Sequence, residues 1–375
     1  MQKEHLPWVD VLRVLACLLV IISHACGPFV GHTDKYSDEF LAGAYMGSLV
    51  RSCVPLFVMI SGVLLLPVTT DMTTFYAKRL KKLILPFVFW SLMLPILFYL
   101  YVNSGLKNIN SNLLPADYTW QTTIQKMYTF VFNFNYDTTA LWYVYMLIGL
   151  YLFMPIISAW LKQASKRDLH WFLLFWIISM GVPYLEIVAP HFGYTGNYGN
   201  RGVLGVSFWN AFGTFYYFAG FLGYLVLAFY LIKYPLNWSW RRTLAVAIPL
   251  FLVGYAVTTA GFILIQQYFP GSYASLEIIW YFYGINVILM TLPIFMVIQK
   301  SNPKARPWLS KMAALSFGIF LCHYIFVHLS YDFVSPLTFL PAFVKIILIA
   351  IISFVISLLV SWLLSLNNIT RKVIM

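Results

Sequence analysis

Ten apolar runs, each close to the length that carries a helix across a bilayer, decide what this chain can fold into. They lie near residues 7–26, 44–67, 83–103, 140–161, 170–189, 205–232, 243–266, 277–299, 312–331 and 342–366. A hydrocarbon core of about 30 Å takes about 20 apolar residues of helix. No water reaches that core, so every backbone N–H and C=O must be paired inside the segment, which favours helices for runs of this kind. Composition agrees. Of the 375 residues 61% are hydrophobic and only 10% charged, where a soluble domain carries roughly 25% charged residues. The expected fold is an all-α polytopic membrane protein with about ten transmembrane helices.

The formal charge of +12 does not point to nucleic acid, because the basic residues are scattered over many short loops rather than gathered in one patch. They report orientation instead, since cytoplasmic loops are enriched in Lys and Arg. With the N-terminus inside, 17 of the 24 fall on the inner side (Lys3, Lys78, Arg79, Lys81, Lys82, Lys162, Lys166, Arg167, Lys233, Arg241, Arg242, Lys300, Lys304, Arg306, Lys311, Arg371, Lys372). Five fall outside (Lys35, Lys107, Lys126, Arg201, Lys345), and Arg13 and Arg51 lie within spans. Both termini are therefore expected in the cytoplasm. The first run contains Asp10 and Arg13 and is followed by no small-residue cleavage site, so it reads as a span rather than a signal peptide. The longest outer segments, 27–43 and 104–139, are too short for an independent soluble domain. A single transmembrane domain over 1–375, with no appended soluble domain, is the expectation. Cys17, Cys26, Cys53 and Cys322 sit mostly in apolar runs without C-x-x-C spacing, and no metal site is expected. Gly43 and Gly47 have the spacing that permits close helix contact.

Chemistry has to come from polar groups that the bilayer penalises. Asp10, Arg13, Ser23 and His24 share the first span, and an unpaired ionisable group there costs a few kcal/mol. Arg13 and His24 are eleven positions apart; at about 100° per residue both project from one face, separated by about 16 Å of rise. Asp10, three residues before Arg13, has the spacing for an ion pair on that helix. This is a polar stripe ending in an imidazole, whose pKa near neutrality suits it to take and return a proton. The chain holds no G-x-S-x-G, H-E-x-x-H or P-loop motif to supply a nucleophile. The nucleophile is then a substrate hydroxyl with His24 as its base, which describes acyl transfer to an alcohol. The run Lys78-Arg79-Leu80-Lys81-Lys82 before the third span is either a positive-inside anchor or a seat for a phosphate-rich cytoplasmic ligand such as an acyl-CoA. Arg51, within the second span, requires a partner from another helix or an anionic ligand.

Several stretches resemble the membrane acyltransferase family 3. Trp8-Val9-Asp10-Val11-Leu12-Arg13-Val14-Leu15-Ala16 through Ser23-His24 is similar to its opening helix, whose hallmark is an Arg and a His at this spacing. Arg51 through Ser61-Gly62 resembles its second-helix segment, and Tyr76 through Lys82 and Pro86–Trp90 its basic pre-helix motif. Leu141-Trp142-Tyr143 through Gly149, Tyr151 and Pro155 is similar to its Leu-Trp-aromatic helix, and Phe215–Gly220 and Leu315–His323 to later signatures. Within the family the look is nearest to the type that O-acetylates enterobacterial common antigen. The resemblance implies about ten helices in a bacterial inner membrane. It implies transfer of an acyl group, usually acetyl from cytoplasmic acetyl-CoA as co-substrate with no permanently bound cofactor, to a hydroxyl of a surface glycan or lipid-linked saccharide. Mapped on this chain, His24, Arg13 and Asp10 become the catalytic set, and Arg79, Lys82 and Arg51 the donor-binding cations. Trp142, Tyr143 and His323 become lining residues.

Three positions depart from the pattern. Lys82 stands where many members have Arg, Ala140 where relatives often carry His, and Phe320 where Tyr is usual. The second departure removes an imidazole that a two-histidine mechanism would use. His323 and His328 lie about 140° apart around one helix, so at most one of them is expected to line the site. The alternative class is a transporter or flippase of a glycan precursor or small metabolite. Many transporters show paired half-repeats, and this chain has no second copy of the Asp10–Arg13–His24 pattern.

Overall fold

The computed structural model describes residues 5–31, 34–106, 108–110, 113–194, 196, 202–207 and 209–374. Lys3, Lys107 and Arg201, counted above for orientation, lie outside the described residues. The helices in chain order are α1 Pro7–Ala25, α2 Gly27–Val30, α3 Asp38–Leu49, α4 Cys53–Leu65, α5 Met72–Val102, α6 Trp120–Thr129 and α7 Trp142–Gln163. They continue as α8 Lys166–Val188, α9 Leu222–Lys233, α10 Trp240–Tyr268, α11 Tyr273–Ile279, α12 Ile285–Ser301, α13 Pro307–Val334 and α14 Ala342–Ser365. No strand occurs among the described residues. The fold is an all-α, multi-pass membrane architecture, as expected.

Local sequence sets the helix starts. Pro7 and Pro307 occupy the first turns of α1 and α13, where a missing N–H costs nothing. Ser37, Asp71, Ser165 and Ser239 each accept a backbone N–H at the start of α3, α5, α8 and α10. The bonds from the Thr74 hydroxyl and N–H hold the Asp71 carboxyl below the usual carboxylate range. That cap begins α5 and so places Arg79 and Lys82 in its second and third turns.

Among the described residues eight helical stretches are long and apolar enough to cross a membrane; α9 and α12 are apolar but shorter. The runs at 205–232 and 277–299 thus differ from the expected full spans. Only Leu222–Lys233 of the first is regular helix, about 18 Å long at 1.5 Å per residue. The segment before it is broken by Gly213 at φ 50 and Gly220 at φ 85, left-handed conformations that favour glycine. A Cβ on Gly213 would lie 2.1 Å from the Leu204 carbonyl oxygen. The second run is interrupted between α11 and α12, where Trp280 stacks on Phe262 with centroids 3.6 Å apart. The second span also breaks, at residues 50–52 between α3 and α4.

Two compact units divide the described chain. One comprises residues 54–69 and 153–301, in which α10 packs along α12 and α8 on α9. The other comprises the described residues of 5–53, 70–152 and 302–374. There α13 is buried almost throughout, with α1, α5 and α14 packed against it, while α3 lies on α2 and α14. Every candidate site residue belongs to this second unit.

The close approach expected at Gly43 is real: a Cβ there would lie 2.9 Å from Phe29 Cβ, Val30 Cγ1 and the Val30 nitrogen. One of those atoms is backbone, so α2 and α3 would have to separate. Gly43→Ala should lower stability by about 1–3 kcal/mol. Gly27→Ala, where nothing lies within 4 Å, serves as the control. Thermal denaturation of the two variants in detergent checks this; equal midpoints would show that the α2–α3 contact is dispensable.

Candidate functional site

The polar stripe of α1 meets α13 at its C-terminal end. The His24 ring, in the last turn of α1, lies with its centroid 5.1 Å from that of His323 and 5.1 Å from that of Tyr324. Tyr324 in turn stands edge-on to His328 at 4.7 Å. Phe98 of α5 closes one side, 5.3 Å from His328 and 5.8 Å from Tyr324. Tyr136 closes another, at 5.8 Å and 6.0 Å from the same two rings. Both α13 histidines therefore join one cluster, contrary to the expectation that only one would reach it. Their separation around the helix is spanned by the Tyr324 ring between them. Ala140 is itself buried.

The three histidines differ in how their nitrogens are engaged. Neither nitrogen of His24 takes a hydrogen bond among the described residues. His323, fully buried, has Nδ1 2.6 Å from the Phe320 carbonyl oxygen. His328 has Nδ1 2.7 Å from the Asn110 amide nitrogen. An imidazole with free nitrogens at the end of a helix stripe can accept a proton from a group brought to it.

Along the stripe, the expected Asp10–Arg13 ion pair is not formed. Asp10 Oδ2 instead accepts from Ser310 Oγ at 2.6 Å and from His5 Nε2 at 2.8 Å. The reason is packing: the first turn of α13 brings Ser310 to Asp10, and the residue preceding α1's cap reaches back to it. Asp10 is therefore a tether between α1 and α13. Arg13, half-buried, makes no ion pair or hydrogen bond among the described residues. Tyr143, near the start of α7, is buried with its ring 5.3 Å from Phe320, which lies 5.8 Å from His323. Half-buried Trp142 lies 6.4 Å from Tyr143. Both lining residues thus adjoin the His323 side of the cluster.

Arg51, grouped from sequence with the donor-binding cations, lies at the His24 end and finds a partner on another helix, one of the two outcomes expected for it. The break between α3 and α4 turns its guanidinium so that Nε donates to the Gly47 carbonyl at 2.7 Å and Nη2 to Ser23 Oγ at 2.8 Å. Ser23 is the immediate neighbour of His24. Arg79 and Lys82 are exposed, with no ion pair among the described residues. Lys82 and Arg79 precede Phe98, the α5 residue that touches His328, by about 24 and 28 Å of helix rise. The cation pair and the histidines therefore stand at opposite ends of one membrane-crossing helix.

Sequence reasoning passed over Asn110, Tyr136, Tyr324 and the buried pair of Asp137 with Lys126, 2.9 Å apart. Asp137 also accepts from Tyr118 Oη at 2.8 Å, and burial, with this carboxylate beside it, pushes the Tyr118 hydroxyl up. An Asp between apolar runs was the one available signal; nothing in the pattern singles out Asn110. Among the described residues no group of three or more His, Cys, Asp or Glu is placed to hold a metal ion.

A protein-family model described as an acyltransferase domain, Acyl_transf_3, matches residues 6–366. The chain belongs to this acyltransferase family. It is a membrane acyltransferase. No curated protein and no solved structure matches it. The family match spans α1 to the end of α14, so the histidine cluster and the α5 cations lie within the acyltransferase domain.

If Asp10 is a tether, its energetic partner is Ser310 rather than Arg13. A double-mutant cycle on thermal stability of the acyltransferase should give about 1.5–3 kcal/mol of coupling for Asp10–Ser310, as for a hydrogen bond to a charged group. For Asp10–Arg13 it should give less than about 0.5 kcal/mol, the additivity limit. Reversal of that order would restore the ion pair.

Proposed function

We propose that this membrane acyltransferase moves an acyl group, acetyl in the first instance, from cytoplasmic acyl-CoA to a hydroxyl of a surface glycan or lipid-linked saccharide at a bacterial inner membrane. The observation that carries the reading is His24. It sits on the same helix face as Arg13, has both ring nitrogens unengaged, and lies 5.1 Å from a second imidazole. His24 removes the proton of the acceptor hydroxyl as its oxygen bonds to the thioester carbonyl carbon. The C–S bond then breaks and the proton passes to the departing CoA sulfur, leaving an ester and a free thiol. No covalent acyl-enzyme is required, because donor and acceptor meet at one histidine.

The donor's charged head fits the exposed Arg79 and Lys82, cations suited to phosphate. From there the slender pantetheine arm runs up the bundle, past Arg13, to the histidines. Arg13, which makes no ion pair among the described residues, offers its positive charge to the donor along that path. Arg51, tied to Ser23 beside His24, supplies a fixed cation for the charge that develops on the thioester oxygen.

His24→Ala and His24→Gln should each lower transfer from labelled acetyl-CoA in proteoliposomes by about 10²–10⁴-fold, the usual cost of losing a general base. Wild-type rates in a correctly inserted variant would sink the mechanism. Charge reversal at Arg79 and Lys82 together should raise the KM for acetyl-CoA; if the pair only anchors the topology, KM stays put and insertion changes instead. Arg13→Ala should weaken the donor's engagement, and unaltered CoA affinity and turnover would remove Arg13 from the path.

A further inference from the structure

The mechanism above leaves His328 unused, although it is buried 3% exposed in the same cluster. Its environment assigns its protons. The Asn110 Nδ2 amide can only donate, so His328 Nδ1, 2.7 Å away, accepts, and the neutral ring carries its hydrogen on Nε2. His323 is the mirror case. The Phe320 carbonyl oxygen can only accept, so His323 Nδ1 donates, and Nε2 is the bare, accepting nitrogen. Neither Nε2 has a partner among the described residues, and both are buried. Two such orphans at membrane depth each forfeit hydration. They are complementary, one donor and one acceptor: His323 lies beside His24, and His328 joins the cluster through the Tyr324 ring that also meets His24.

The Asn110 amide is fixed by a folded strap over this end of the unit. Ile109 N–H donates to Asp332 Oδ1 at 3.2 Å, and Tyr101 Oη donates to the other oxygen of the same carboxylate. Asn110 N–H donates to Asn108 Oδ1 at 3.0 Å, and Asn110 accepts from Leu113 N–H at 3.0 Å. Further along, Asn103 Nδ2 donates to the Tyr118 carbonyl at 2.9 Å, and Tyr118 and Lys126 converge on Asp137. Much of this hydrogen bonding holds a segment with no catalytic group of its own against α13.

We infer that His323 and His328 form the acceptor subsite: the bare Nε2 of His323 and the Nε2–H of His328 bind neighbouring hydroxyls of a diol, presenting one to His24, with Asn110 as the positioning residue that sets the His328 tautomer. This deepens the reading of His24 as the base and rests on it. The donor–acceptor pair matches a hydroxyl-rich acceptor, because a hydroxyl both gives and takes a hydrogen bond. An ammonium could satisfy only the bare nitrogen, and a carboxylate only the N–H. A site built on such pairs rejects a ligand that lacks one of the hydroxyls more strongly than an apolar pocket rejects a missing methylene.

The test uses the full chain in membrane vesicles, measuring label transferred from acetyl-CoA to endogenous acceptors. The competing probes are cis-cyclohexane-1,2-diol and cyclohexanol, one ring with two hydroxyls or one. In wild type the diol should inhibit at concentrations at least about tenfold lower than cyclohexanol, as expected when a site's polar group loses its partner. In Asn110→Asp the carboxylate accepts only, so His328 Nδ1 takes the proton, Nε2 loses it, and the preference should fall to about onefold. The same variant should raise the KM for the acceptor while the KM for acetyl-CoA moves little, a split that general loosening of the fold would not produce. Equal inhibition by the two probes in wild type overturns the subsite, whether or not Asn110→Asp folds. A diol preference that survives intact in Asn110→Asp overturns the tautomer assignment and with it the proposal. His24→Ala run alongside separates the layers: transfer persisting there removes the base reading beneath, whereas an inactive His24→Ala with equal probe inhibition removes the subsite alone.

Discussion

The site depends on α13 being a helix buried on nearly every side within its unit. Its residues from Ala313 to Val334 face α1, α5 and α14 rather than lipid over most of their length. A bilayer offers no water to a polar side chain at that depth, so each one carried by α13 must find a protein partner or await a ligand. Ser310 takes Asp10, the Ser316 carbonyl takes the Cys17 thiol at 3.7 Å, and His323 turns Nδ1 to its own helix. The rings of Tyr324 and His328 interlock edge-to-face with His24, Phe98 and Tyr136, contacts worth about 0.5–1.5 kcal/mol for each aromatic pair beyond the area they bury. Removing α13 from this position would take from α1's stripe the Ser310 that holds Asp10 and the rings that meet His24.

From that packing follows the division of charge. Asp10 holds α1 to α13 through Ser310, so its carboxylate makes no ion pair with the Arg13 guanidinium among the described residues. Arg51 reaches the same end from the α3–α4 break, where the interrupted helix gives up a backbone carbonyl at Gly47 to hold it. Arg79 and Lys82 therefore stand towards one end of α5, while Arg51 stands with the histidines at the other. That division is what the proposed transfer, from a charged donor to a polar acceptor, would use.

Much of the fold was legible beforehand because long apolar runs leave a bilayer chain few choices. The helix face shared by Arg13 and His24 was legible too, since it follows from helical geometry within one element. The misreadings all lie where two elements meet. Asp10 and Arg13 have the right spacing to pair, but spacing on one helix says nothing of a serine 300 residues away that competes for the carboxylate. Arg51 was read as part of a continuous span, and the break that redirects it is a local event within apolar sequence. Gly213 and Gly220 shorten α9 through φ angles that hydropathy does not record.

The sequence by itself determined that the chain crosses a membrane many times, that its first span carries Asp10, Arg13 and His24 while a basic run precedes the third, and that it carries the marks of an acyltransferase. These are properties of composition and of periodicity within single helices, where each residue's direction follows from its position. Tertiary structure alone decided which imidazoles meet, which acid is taken out of play, and that a segment between two spans supplies Asn110 to His328. Such pairings join residues as many as 300 positions apart, as in the meeting of Asp10 with Ser310. They are selected by how helices pack and by the cost of leaving a polar group unpaired away from water, neither of which any single segment encodes.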